Sequence, residues 1–474
     1  MNRRSTLLRT LVFTIAGLVM LTSVVGQTAD ESAKTIYHPD PDHLWNQLHQ
    51  VVFVRVDESG NEYGRDVVDP MLWDKTWKFL LQGKSHQNAV GLLEQFVTED
   101  GASLIQDPLR RAVLQHDLWA VFDWAATVEK PSWFMQEHLS PYQKAKNDRY
   151  LGARRLADRL APAIAQLALD DKTIASLPNN YDLAVASKSF ATEYEENSNR
   201  SLLPAELLDP EGPWVCIRGA ADSPSAPVHM ERFGGRSPFL VFLNVPGGRQ
   251  VALDYIKRLN EYSAGAPQEK YAWEKNVPLF PVGTAVALVR RMNIINRKGE
   301  LMTTPLVQTV QLRVYLRVSN RRSKADRTGS LAVYKSTLNR RNLFANKAGG
   351  LVPVTPETKA VIKLEDHIRH QNKSDYLDQG RPPSMHNVLR SCVNCHMGCG
   401  GGPNAKSIFT FNQVHWASEI PGAANLSYND LRLLPTDIET EQNRAMRWKS
   451  QREEWHQLHG FLNEGTKRTE KGLD

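Results

Sequence analysis

Near the C-terminal end of this 474-residue chain, two thiols and an imidazole fall within one pentapeptide, Cys392-Val393-Asn394-Cys395-His396. Three chemistries suit that spacing. With Cys399 close by, Cys392, Cys395 and His396 make up four ligands of the kind zinc takes tetrahedrally. A Cys-x-x-Cys pair is also the reactive element of thiol–disulfide exchange. The third chemistry uses the imidazole as well. A haem carries two vinyl groups on neighbouring pyrrole rings, two thiols at this spacing reach both, and the next residue brings a nitrogen to the iron.

Cys-x-x-Cys-His is the attachment signature of c-type haem, and the stretch around it resembles the haem site of the c-type cytochromes. The resemblance is confined to that region, and the other three-quarters of the chain carries none. It implies one covalently attached haem c, with Cys392 and Cys395 as tethers and His396 as the iron ligand. A helix starting at Arg381-Pro382-Pro383-Ser384 and running through Val388 and Leu389 would deliver the motif, as in the cytochromes c. Gly398, Gly400, Gly401 and Gly402 follow, which suits backbone lying close to a flat macrocycle and equally suits a plain turn.

The opposite face of the iron decides the function. Electron-transfer haems usually hold two protein ligands, whereas haem enzymes leave one position open. Met397 adjoins His396 and cannot reach across. His415, Met446, His456 and His459 are the downstream candidates, the last three on a helix expected from about Pro435 to Leu462. At about 100° per residue, His459 falls beside Trp448, Trp455 and Leu462, and Met446 points nearly opposite. A packed core histidine satisfies the same pattern. Three readings stand: an electron-transfer protein, a peroxidase-like haem enzyme, and a haem-based sensor or scaffold.

The N-terminus bears on the choice of cofactor. Arg3, Arg4 and Arg9 precede the apolar run Leu11 to Leu21, and small or polar residues follow, so residues 1–29 read as a secretory signal. Export to the periplasm or beyond favours haem over a zinc knuckle, because thiols there tend to be oxidised. The net charge of +6 falls to +3 once the three arginines of the signal leave, too little to imply nucleic acid, and no later segment approaches a membrane span. Haem would consume two of the four cysteines, leaving Cys216 and Cys399 to pair or to remain separate thiols.

The elements that must hold the site read as an α+β multidomain chain. A mainly helical domain is expected over 30–200, a β-rich domain over 201–348, and a small, mainly α-helical haem-binding region over 349–474. His38, Asp40, Asp42 and His43 could be taken for metal ligands, but Asp42 reads better as the N-cap of a helix carrying Leu44, Trp45 and Leu48. Val51 to Val56 looks like a strand and residues 57–61 like a turn. From about Pro70 to Phe190 the pattern is helical; His116 sits among Trp119, Phe122 and Trp124, an aromatic group of the kind found in cores.

The polar stretch from Thr192 to Arg200 marks a boundary, after which strands appear. Phe239 to Val245 is a buried-strand run closed by Pro246-Gly247-Gly248 and followed by a helix, without a complete phosphate-loop pattern. Ala285 to Val289 and the alternating Val310 to Val318 form a hairpin around Asn296 to Gly299. Arg321 to Lys347 holds eight Lys or Arg against Asp326 alone and reads as a basic loop. It would steer an acidic redox partner or an anionic substrate, or serve as a solvated linker.

Overall fold

The computed structural model describes residues 35–56, 62–70, 72–74, 77–133, 136, 138–196, 198, 200–219, 224–265, 278–317, 331–361, 385–389, 392 and 432–470. His43 caps α1 (Leu44–Phe53), its Nδ1 accepting the Trp45 N–H at 3.3 Å, one residue after the Asp42 expected there. The rings of His38 and His43 stack at 4.2 Å, and each uses Nδ1 to hold a local backbone N–H. Val51, Val52 and Phe53 finish this helix and do not start a strand. Val52 and Phe53 extend the buried face of Leu44, Trp45 and Leu48, and that packing outweighs their β-propensity. Extended backbone begins at Val54, and β1 (Arg55–Val56) pairs with β2 (Glu62–Tyr63); the turn expected at 57–61 lies outside the described residues.

The helical stretch contains α2 (Trp77–Leu81) and α3 (Gly83–Thr98), then α4 (Pro108–Ala126). Asp107 caps α4 by accepting the Leu109 N–H, and Pro108 takes a first-turn position where no N–H is needed. A capping box of Ser140 and Gln143 opens α5 (Pro141–Gln166), which continues through Pro162. Two short helices follow, α6 (Asp171–Ala175) and α7 (Asn180–Ala186). Across the polar stretch 192–200, Ala191 and Leu202 form a parallel bridge.

Beyond it come β3 (Val215–Gly219), α8 (Pro227–Arg232), β4 (Phe239–Asn244), α9 (Arg249–Gly265), β5 (Ala285–Ile295), β6 (Leu301–Tyr315) and β7 (Leu331–Leu338). The β5–β6 hairpin is longer than its sequence pattern, with Arg290 to Ile295 still in the strand. Asn296 organises its turn, its Oδ1 accepting the N–H groups of Lys298 and Glu300. Leu331 to Leu338 and α10 (Arg340–Phe344) overturn the expectation of a basic loop for that part of the chain, and residues 318–330 lie outside the described residues. Arg340 in particular is fully buried, so its charge is spent inside the fold and does not steer a partner.

The C-terminal part holds β8 (Leu351–Pro353), β9 (Lys359–Val361), β10 (Met385–Asn387), β11 (Leu433–Pro435), α11 (Ile438–Ser450) and α12 (Glu453–Glu470). Two expectations fail here. Residues 385–387 are extended and paired with β9, with helical backbone only at 388, 389 and 392 among the described neighbours. The single helix expected from Pro435 to Leu462 is broken at Gln451–Arg452, which places Trp448 and Trp455 on different helices.

Seven antiparallel strands in the order β11-β3-β4-β5-β6-β7-β8 make one sheet, and the chain is a mixed α/β protein built around it. One face packs Cys216, Phe242, Ala287 and Leu312 against Leu202, Leu203 and the short helices. The other face packs Ile217, Leu243 and Val286 against α9, and Phe239 and Leu288 against Ala445 of α11. A second layer of helices, α1 to α5, shares a core with Trp455, Leu458 and Leu462 of α12. Hydrophobic clusters therefore run through positions 200 and 348. Among the described residues, no helix is long and apolar enough to cross a membrane.

Candidate functional site

Of the five motif positions, the structure describes Cys392. Its thiol is free and half-buried, and Sγ lies 3.8 Å from Oε1 of Gln311 on β6. That is a weak contact, so the sulfur has little to lose on forming a thioether. Cross-strand register fixes the face on which it sits. Gln311 stands opposite Leu288 and Lys335, Leu288 opposite Val241, and Val241 opposite Ile217, and side chains directly opposite share a face. This row is apolar on β3, β4 and β5 and polar on β6 and β7. Cys392 meets it at the change.

Cys395, His396, Met397, Cys399 and His415 lie outside the described residues. Cys216 is a buried free thiol on the opposite face of the sheet, and burial pushes its ionisation well above the ordinary thiol range. Met446 is half-buried on α11 and His456 exposed on α12. The His459 ring tilts 33° against Trp455 at 5.7 Å. It belongs to the packing of α12 on the helical layer. Among the described residues, no three of His, Cys, Asp and Glu are placed to hold a metal ion.

The sequence gives little hint of a second cluster, which surrounds α4. That helix is buried on all sides, yet it carries Gln115, His116, Asp117 and Asp123. Each reaches a different part of the chain. Gln115 bonds the backbone of Ile164 and Ile295. Asp117 receives Arg340 Nη2 at 2.5 Å and the backbone N–H of Asp69 at 2.7 Å. Asp69 receives Arg290 at 2.5 Å and Arg236 at 3.3 Å. Arg236 also reaches Asp123 at 3.1 Å, whose other partner is Lys449 Nζ at 2.8 Å. Lys449 continues to Glu454, Glu454 to Arg452, and Arg452 to Glu231 at the surface.

Five acids (Asp69, Asp117, Asp123, Glu231, Glu454) thus meet five bases (Arg236, Arg290, Arg340, Lys449, Arg452) in one continuous, formally neutral belt. Close approach is part of its construction. At Gly234 (φ +55°) a Cβ would stand 3.0 Å from Arg236 Nη1 and 3.1 Å from Asp123 Oδ2. Burial alone would push the Asp69 carboxyl up, but Arg236 and Arg290 outweigh it and hold it down to about 2. At Asp117 burial wins over Arg340 and pushes the carboxyl up to about 6.

Ser237, His116 and Asp69 lie together here, residue types that build hydrolytic triads, but their bonding is wrong for one. Ser237 Oγ donates to Gln308 Oε1 at 2.7 Å and accepts from Arg290 Nε at 3.1 Å. The Asn293 carbonyl can only accept, so His116 Nδ1 carries the proton, and Nε2 accepts from the Gln308 amide at 2.9 Å. Burial, with Arg290 and Arg236 nearby, lowers His116 to about 3 and keeps it neutral. Its one basic nitrogen is already in use. His116 is a satisfied core histidine, as its aromatic neighbours imply, and the belt is a device of the fold. Comparison with protein-family models, with curated proteins and with solved structures returned no match.

Proposed function

We propose that this is an exported protein bearing one covalently attached haem c, which passes single electrons between partner proteins. The pentapeptide at 392–396 carries the reading: it places two thiols and an imidazole at the spacing haem attachment needs. The free, half-buried thiol of Cys392 is compatible with it, since a cysteine already in a disulfide could not serve. Cys392 and Cys395 would tether the ring and His396 would bind the iron. The bound group supplies a metal that changes oxidation state by one electron. The chain's part is to orient the ring, limit access of water and present one edge to a redox partner.

The test is spectroscopic. Purified protein should keep a haem stain after denaturing electrophoresis, and the paired change of Cys392→Ser and Cys395→Ser should abolish it. With haem attached, a low-spin spectrum unmoved by carbon monoxide is expected for electron transfer. A high-spin spectrum that shifts with carbon monoxide would point to an open iron site and to a haem enzyme or sensor. A colourless protein holding stoichiometric zinc would overturn the reading.

A further inference from the structure

We infer that the paired rings of His38 and His43 make the start of α1 an acid-opened latch. It holds residues 38–43 against the helix while both imidazoles are neutral and frees them when the rings gain protons. The inference is independent of the haem reading. Three observations carry it.

The first is the capping bond. A helix leaves its first N–H groups without helical partners, and a side-chain oxygen at the N-cap usually accepts one of them. Here the acceptor is a ring nitrogen. His43 Nδ1 takes the Trp45 N–H at 3.3 Å, and His38 Nδ1 takes the Asp40 N–H at 3.1 Å. Each nitrogen accepts through its lone pair, so each ring is neutral in this bond and carries its proton on Nε2. A protonated imidazole donates at both nitrogens and cannot make the bond. The oxygen caps of α4, α5 and α11, from Asp107, Ser140 and Asp437, do not change charge between pH 5 and 8 as an imidazole does.

The second is the stacking. The two ring centroids stand 4.2 Å apart with their planes inclined by 22°. Two cations held face to face at that distance repel, and a cation at a helix N-terminus also meets the positive end of the helix dipole. Burial and the facing His38 lower the ionisation of His43, against the pull of Asp40, so the neutral, bonding form is favoured.

The third is the contrast in anchoring along this strap. Tyr37 is fully buried, and three parts of the fold hold it. Its carbonyl accepts from Arg110 of α4, its hydroxyl from Arg340 of α10 at 3.0 Å, and its N–H donates to Asn46 Oδ1 at 2.8 Å. Pro39 to Asp42 are exposed, and their bonds are local. Asn46 Nδ2 donates to the His38 and Asp40 carbonyls, Gln47 Nε2 to the Asp42 carbonyl, and Asp40 Oδ1 accepts the Asp42 N–H. The charged groups around the rings are therefore Asp40 and Asp42 on the strap, with Arg110 and Arg340 reaching it at Tyr37. Opening leaves Tyr37 in the core and releases residues 38–43 with the first turn of α1. Folded His43 is held below its ordinary 6.5, so the latch is closed above that pH and weakens as the pH falls through it and then through the folded value.

The test uses the full chain as wild type, His43→Asn and His38→Gln. Imidazole titrations are followed by NMR of histidine-labelled protein, and amide hydrogen exchange is read over residues 38–47, from about pH 7.5 down to about pH 5. In wild type, His43 should titrate below its ordinary value. Exchange at the start of α1, corrected for the intrinsic rate, should quicken about fivefold as it does so. His43→Asn keeps a capping side chain that does not titrate, and its exchange should stay flat over the same interval. His38→Gln removes the facing ring, and the His43 titration should move up toward the ordinary value. A wild-type His43 that titrates at or above that value would overturn the latch. So would wild-type exchange that stays flat while His43 gains its proton, or His43→Asn exchange that quickens as wild type does.

Discussion

Around α4, eight charged side chains drawn from distant parts of the chain share one interior, and Arg452 and Glu231 carry the belt to the surface. Around Cys392, three chemically distinctive residues share five consecutive positions. The first cluster joins residues 221 and 326 apart in sequence (Asp69 with Arg290, Asp123 with Lys449) and spends its charges on one another. The second is local, and its described side-chain hydrogen bond to the body of the fold is the weak one from Cys392 to Gln311. The charges gathered in the interior are satisfied by one another, and the belt is part of the fold. On the proposed reading, the chemistry belongs to the pentapeptide.

Breaking the belt at its centre should have the largest effect. Asp69→Ala leaves Arg236 and Arg290 buried without their shared partner and should lower the unfolding free energy by about 3–5 kcal/mol, read by urea titration. An unchanged midpoint would mean that the interior relaxes around the two arginines. Asp69 also carries a pH signature. Its folded carboxyl is held near 2 against an ordinary 3.8, so its contribution is complete above pH 4 and disappears as the pH falls toward 2. The stability gap between wild type and Asp69→Asn should close over that interval.

Lys449→Met comes next. Asp123 keeps Arg236 and Glu454 keeps Arg452, so a loss of about 2 kcal/mol is expected. The smallest change sharpens the comparison from outside. Lys298 bonds Asp171 at 2.7 Å, against 2.8 Å for the buried pair of Lys449 and Asp123, but both of its side chains are exposed. Lys298→Ala should alter stability by no more than about 0.5 kcal/mol. A loss comparable to that of Lys449→Met would show that burial is not what distinguishes the belt.

Legibility followed the same division. Cys392, Cys395 and His396 stand out because their meaning lies in adjacency, and the β5–β6 hairpin stands out because alternation is a local signal. The belt's members become partners only after the chain has folded. The one hint was in α4 itself, where Gln115, His116, Asp117 and Asp123 interrupt apolar residues on every side, the pattern of a helix with no solvent face. Val51 to Phe53 and Arg340 misled for a shared reason. β-branched residues entered a helix, and a cation in a basic run entered the core, because tertiary partners from elsewhere in the chain satisfied them.

The connection between the outermost strands has a mechanical corollary. A proteolytic cut at a single bond between 362 and 384 would divide the chain without dividing the fold. The C-terminal piece would still be held by β11 pairing with β3, by Lys449 in its ion pair with Asp123, and by Trp455, Leu458 and Leu462 in the helical core. Two bands under denaturing conditions and one species on native size exclusion are expected. Such a nicked protein would behave as a non-covalent heterodimer made from one polypeptide.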